Sequence, residues 1–223
     1  MIPVHDDNPA HITPWVTWGL IAACCLVFLW QLSSGEAWSQ EIVAGLGATP
    51  EVILGGAGAT EDPPWVAPWA TVFTSMFLHG SSAHLFGNML FLWVFGNNVE
   101  DAMGHGRFIV FYLACGVAAV LAQALPDPAS TVPMVGASGA ISGVLGAYLL
   151  LYPRARVLLA LPPPLVFLTI GWVRAVWVLD GLAVRRVRER RRLRRAHRRF
   201  RRRPRARAAV QAAPRPALAR PLT

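Results

Sequence analysis

Apolar residues in this chain come in long, nearly unbroken runs. Residues 15–31 are almost uncharged, bounded by Pro14 and by Ser33–Ser34. Further runs cover about 83–99, stopping at Glu100–Asp101, then 108–125, ending at Pro126–Asp127–Pro128, and 136–152, ending at Pro153. At 1.5 Å per residue such runs approach the ~30 Å hydrocarbon core of a bilayer. They are too long and continuous for strands, and only helices or closed barrels satisfy the backbone in lipid. The pattern predicts four membrane helices. A fifth run, 157–184, is interrupted by Pro162–Pro163–Pro164, Arg174 and Asp180, and is a doubtful span. Between the first and second runs, residues 35–68 are mixed and acidic with Gly and Pro breaks, which predicts a long, partly helical loop at the membrane face.

Composition sharpens this picture. Of 223 residues, 54% are hydrophobic and 15% charged, against roughly 25% charged in an ordinary soluble domain. Mean hydropathy is +0.42. A soluble enzyme, a disordered body and a disulfide scaffold are excluded. Cys24, Cys25 and Cys115 lie inside apolar runs without metal or disulfide spacing. Met1–Thr13 has no Lys or Arg, and the run after it is too long for a signal peptide's apolar region.

The net charge of +9 conceals an asymmetry. Residues 1–181 hold 4 Arg against 11 Asp and Glu, whereas residues 182–223 hold 17 Arg against one Glu. Two domains follow: a membrane body over 1–181 and a non-globular tail over 182–223, rich in Arg, Ala and Pro. Arg107 before the third run and Arg154 and Arg156 after the fourth place those loops on the cytoplasmic side. The first long loop lacks Lys and Arg and faces out, so the N-terminus is expected inside. A crossing fifth span would then carry the basic tail outward, against that rule.

The chemistry sits at two run starts. Gly136-Ala137-Ser138-Gly139 opens the fourth run, with Gly143 and Gly146 beyond it. Small residues at such spacing also let helices approach closely in lipid, and the short motif alone points to that packing more than to chemistry until a second feature shifts the balance. The second run starts His79-Gly-Ser-Ser-Ala-His84-Leu-Phe-Gly-Asn88, with His84 and Asn88 on one helical face. Polar groups in a membrane segment are costly and mark function by default. Alternating topology brings Ser138, His84 and Asn88 to one level near the outer face. A hydroxyl nucleophile, its own backbone N–H, an imidazole and an amide are the parts that acyl transfer requires.

These residues, in this order, resemble the rhomboid family of intramembrane serine proteases. The likeness extends over about 170 residues. It runs from Ile2-Pro3 and Asp6-Asp7-Asn8-Pro9 through His79, His84-x-x-x-Asn88, Gly96, Glu100-x-x-x-Gly104-x-x-Arg107-Phe108 and Gly136-Ala137-Ser138-Gly139 to Tyr152-Pro153. The resemblance implies an all-α, polytopic membrane bundle of six or seven helices that cleaves transmembrane protein substrates near the membrane face. It implies Ser138 as catalytic nucleophile and His84 and Asn88 as oxyanion partners, with no metal or cofactor. Glu100 and Arg107 are implied to tie the cytoplasmic ends of the second and third spans, and His79 to support the site. The expected setting is the bacterial inner membrane.

One part of the family pattern is missing. The family's general base is a His in an Ala-His-x-x-Gly context on the sixth helix, and no sixth apolar run exists here. The histidine after Ser138 is His197, in Ala196-His197-Arg198-Arg199-Phe200, among arginines that each cost ~2.5–3.5 kcal/mol in lipid. The chain as written is therefore expected to be impaired as a protease. A non-catalytic member that binds transmembrane clients is the alternative. The tail has no Lys, and Arg, Ala and Pro can all be written from G and C, the product expected when a GC-rich gene is read out of frame. A change of frame between about residues 169 and 182 would replace the sixth helix. As an arm for anionic lipid or nucleic acid the tail would give only salt-sensitive, non-specific binding, so no specific nucleic acid partner is expected.

Overall fold

The computed structural model describes residues 2–55, 64–160 and 169–174. Its elements are β1 (Ile2–Asp6), α1 (Trp15–Ser33), α2 (Glu36–Leu46), α3 (Pro50–Ile53), α4 (Pro68–Thr74), α5 (Ser82–Met103), α6 (His105–Ala124), α7 (Ser138–Leu151), β2 (Arg156–Ala160) and β3 (Thr169–Arg174). The first four apolar runs become α1, α5, α6 and α7. The acidic loop is partly helical, through α2 and α3. Helix α5 outlasts its run to Met103, because the chain turns only at Gly104, whose φ of +77° suits a residue without a side chain.

The fifth run departs from expectation. Its described parts are β2 and β3, which join β1 in an antiparallel sheet of order β1-β2-β3. Asp6 pairs with Val157 and Leu158 with Trp172. Consecutive prolines at 162–164 lack the N–H groups a helix needs, and Thr169, Ile170 and Val173 favour extended backbone. An open sheet edge is not tolerated in hydrocarbon, which places these two strands outside the bilayer core or against protein. The remainder of that run and the tail over 182–223, His197 included, lie outside the described residues.

The molecule is a polytopic helical bundle. Helices α1 and α6 are long and apolar enough to cross a bilayer by length and composition, and α7 is apolar but shorter, at 14 residues. Large apolar side chains point outward along them, including Leu26, Leu29, Val110 and Leu150. Exposed tryptophans cluster near both ends of α1: Trp15 and Trp18 at its start, Trp30 at its end with Trp38 on α2 beyond it. Such belts place indole rings at the two membrane interfaces.

Buried polar groups fasten one end of the bundle. Glu100, wholly buried on α5, accepts from the Val16 and Thr17 backbone N–H groups at 2.9 and 2.7 Å and from Thr17 Oγ1 at 2.6 Å. These are orphan donors at the start of α1, and an anion there is favoured twice over. His105, opening α6, lies 2.6 Å from the same carboxylate. Glu100 thus ties α5 to α6 through His105, not through Arg107, and adds α1. Close by, Asp6 accepts from Asn98 Nδ2 and Tyr148 Oη, both at 2.7 Å. Burial pushes the Asp6 carboxyl above its usual range, with the Tyr148 hydroxyl pulling the other way.

At the centre, Phe95 and Tyr148 meet edge to face at 4.9 Å, joining α5 to α7. Between α6 and α7 the packing is backbone-close. A β-carbon on Gly139 would collide with the Ala119 methyl, and one on Gly143 would lie 2.6 Å from Cys115 Cβ. The expected small-residue packing holds for these two glycines. It does not hold for Gly146, which faces open space.

Candidate active site

The opposite end of α5 and the start of α7 hold the candidate chemistry. Ser81 caps α5, its hydroxyl accepting from the His84 N–H at 3.2 Å, so His84 lies in the first turn and Asn88 one turn deeper. Asn88 is buried and His84 half-buried. Helix α7 begins at Ser138, later than the apolar run, because Gly136 takes a φ of +114° and Ala137 serves as the N-cap. As the first helical residue, Ser138 has a backbone N–H with no acceptor inside its own helix. Its hydroxyl makes no hydrogen bond among the described residues, while its carbonyl accepts from Ser142 Oγ at 2.7 Å.

Gly136 joins the two helix starts. A β-carbon there would lie 2.6 Å from His84 Cε1, 2.9 Å from His84 Nε2 and 3.7 Å from Asn88 Nδ2. The polar edges of both side chains therefore face the chain two residues before Ser138. Hydrogen bonds hold that chain in place. Gly136 donates to the Ser75 carbonyl at 2.8 Å, and Met134 and Ala48 exchange backbone bonds at 2.9 and 3.0 Å. Taken by itself in the sequence, the Gly136 motif points to helix packing; in the fold Gly139 and Gly143 pack, while Gly136 leaves room for His84.

His79 stands behind Asn88. Its Nδ1 lies 3.2 Å from the Phe77 carbonyl, which can only accept, so Nδ1 carries the proton. Its Nε2 then accepts from Asn88 Nδ2 at 3.1 Å. Burial drives the His79 pKa down to about 4, helped by the neighbouring His84 and opposed by the Phe77 carbonyl. The His79 and His84 rings meet edge to face at 5.2 Å. Gln31, near the end of α1, grips the His79 backbone on both sides, accepting its N–H at 3.1 Å and donating to its carbonyl at 3.4 Å. Sequence reasoning passed over Gln31. The available signal was an uncharged amide at the end of an otherwise apolar run. A cleft of about 610 Å³ opens beside these residues, lined by Gln31, Glu36, Ser39, His79, Gly80 and Pro133 among others.

The arrangement defines a class: a helical membrane protein in which the glycine two residues before a helix-start serine adjoins the imidazole and amide of a neighbouring helix. The Rhomboid domain model matches residues 67–187, just over half of the chain. This chain belongs to the rhomboid family. It is 34% identical over 136 residues to Rhomboid protease GluP of Bacillus subtilis, covering 61% of this chain and 24% of that protein. It is 32% identical over 126 residues to the mitochondrial Rhomboid protein 1 of Saccharomyces cerevisiae, covering 54% and 36%. Mouse presenilin-associated rhomboid-like protein, mitochondrial, is 27% identical over 165 residues, covering 73% and 40%. The chain spans between about a quarter and two-fifths of the length of these relatives. The family includes serine intramembrane proteases and is found in bacterial and mitochondrial proteins alike.

Proposed function

We propose that this chain is an intramembrane serine endopeptidase of rhomboid type, acting on transmembrane protein substrates near the outer face of a bacterial inner membrane. Ser138 Oγ attacks the scissile carbonyl carbon. The resulting oxyanion is held by the Ser138 N–H, His84 Nε2–H and Asn88 Nδ2–H, and its collapse expels the amine and leaves an acyl-serine for water to hydrolyse. Removing one donor of this kind typically costs ~10²–10³ in rate. The observation that carries the reading is the convergence of His84 and Asn88 on Gly136, two residues before a serine whose N–H is unclaimed by its helix. The base that takes the serine proton and hands it to the leaving amine is a histidine elsewhere in the family, and no Ala-His-x-x-Gly segment follows Ser138 to supply it.

That gap favours a second reading, a member that holds transmembrane clients without cutting them. Reconstitution in liposomes with a model transmembrane substrate separates the two. Cleavage by the chain, abolished in Ser138→Ala, establishes the protease. Stable substrate capture with no cleavage, equal in the chain and in Ser138→Ala, establishes the client-binding protein instead.

A further inference from the structure

We infer that Gln31 and His79 are positioning residues for Asn88, forming a relay that forces the Asn88 amide to present its NH₂ group, and not its carbonyl, to the Gly136–Ser138 segment. The inference rests on the reading of Asn88 as an oxyanion donor, and extends that site to α1.

An asparagine amide has two nearly isosteric ends, and only one of them stabilises a negative charge. Reversed, it would point a carbonyl at the oxyanion and repel it. What decides the orientation is the partner on its far side. The Phe77 carbonyl requires a proton on His79 Nδ1, at 3.2 Å. A neutral ring protonated there has a lone pair on Nε2, and a lone pair at 3.1 Å accepts from Asn88 nitrogen while rejecting its oxygen. One Asn88 N–H is thereby committed to His79. The second hydrogen of the same nitrogen remains for the site, where that nitrogen lies 3.7 Å from the position of a Gly136 β-carbon.

The relay requires His79 to stay where it is, although it sits in the connection between α4 and α5 and borders an open cleft. Gln31 supplies the anchor. Its side chain, 2% exposed, uses its oxygen and its nitrogen on the N–H and carbonyl of this one residue. The ring is thus located by its backbone from α1 and its rotation is set by Phe77. The depressed pKa of His79 fits the same arrangement, because a protonated Nε2 would demand the wrong end of Asn88. Among the described residues, the titratable groups beside the ring are His84 of α5 and Glu36 of α2, which lines the same cleft.

The full chain, labelled with ¹⁵N at His and Asn and held in bicelles, tests this without depending on turnover. His79 should show the Nδ1-protonated tautomer near neutral pH, with a scalar coupling across the Asn88 Nδ2–H···Nε2 hydrogen bond. Gln31→Met, close in volume but without amide atoms, should abolish or strongly weaken that coupling. A His79 protonated on Nε2, or a coupling unchanged in Gln31→Met, overturns the relay even if the chain proves inactive. Where cleavage is measurable, His79→Leu should lower kcat ~10²–10³-fold with KM little changed, and His79→Gln, which restores an acceptor, should recover most of it. The double variant His79→Leu/Asn88→Ala should be no slower than Asn88→Ala alone. A multiplicative loss shows that His79 acts independently of Asn88 and also overturns the proposal. Failure of the protease reading looks different: the coupling is present and no cleavage occurs.

Discussion

The α-carbon hydrogens of Gly136 occupy the space beside the His84 imidazole that any other residue would fill. A β-carbon would stand 2.6 Å from His84 Cε1 and 2.9 Å from Nε2, and the φ of +114° is one that side-chain-bearing residues rarely adopt. Gly136→Ala should therefore cost about 1–3 kcal/mol of backbone strain and displace His84 from the site. Reaction of Ser138 with a fluorophosphonate probe should fall sharply while far-ultraviolet circular dichroism stays helical. Labelling at the parent rate would show that His84 does not act where Gly136 lies.

Glu100 gathers three donors from α1 and the His105 imidazole of α6 in a fully buried position. Glu100→Ala leaves those donors unmatched, each at roughly 1–3 kcal/mol. The expected loss is about 3 kcal/mol or more in reversible unfolding from micelles. Glu100→Gln keeps one acceptor oxygen and should lose clearly less. Equal losses in the two variants would mean that packing, not hydrogen bonding, accounts for the effect.

Acidification should weaken the fold through His79. Its pKa is about 4 in the folded chain, against an ordinary 6.5. The unfolded chain therefore takes up a proton first, and stability falls as pH drops from about 6.5 to 4. At about 1.36 kcal/mol per unit the full effect is roughly 3 kcal/mol. Asp6, whose pKa is raised, works in the opposite sense. The measurement is thus the difference in unfolding between the chain and His79→Gln across that window. A difference independent of pH would remove His79 as the source.

Two glycines on one helix should respond in opposite ways. Gly143→Val drives a branched side chain into Cys115 and should separate α6 from α7, costing about 1–3 kcal/mol. Gly146→Ala meets nothing within 4 Å and should be neutral or stabilising by up to ~1 kcal/mol through helix propensity. Melting both variants in the same detergent decides the matter, and a destabilising Gly146→Ala would place an unseen neighbour on that face.

The tail has a test at the level of the gene. Reading the two alternative frames downstream of the codon for residue 169 should reveal an apolar run containing Ala-His-x-x-Gly. If neither frame encodes one, the change of frame is excluded as the origin of the Arg-rich segment.

Hydrophobic run length was enough to locate α1, α5, α6 and α7, because a lipid solvent demands long apolar helices whatever they pack against. The order of His84, Asn88 and Ser138 also marked the candidate site, since polar groups at run starts stand out from an apolar background. Other features needed the folded chain. Apolar content alone does not separate helix from strand at residues 156–160 and 169–174; pairing of the first with Ile2–Asp6 and of the second with the first decided for strand. Nor does sequence spacing tell which glycine packs a helix and which leaves room for the His84 side chain. Gly139 and Gly143 meet α6, whereas Gly136 meets His84, because the first two lie on α7 and Gly136 precedes its first residue, Ser138. Gln31 and His79 are 48 residues apart, and their double hydrogen bond exists only because α1 ends beside the connection that opens α5. Local composition sets which segments enter the bilayer, through a solvation energy each segment carries by itself. Which polar atoms then meet inside depends on how those segments are arranged, a property of the whole bundle.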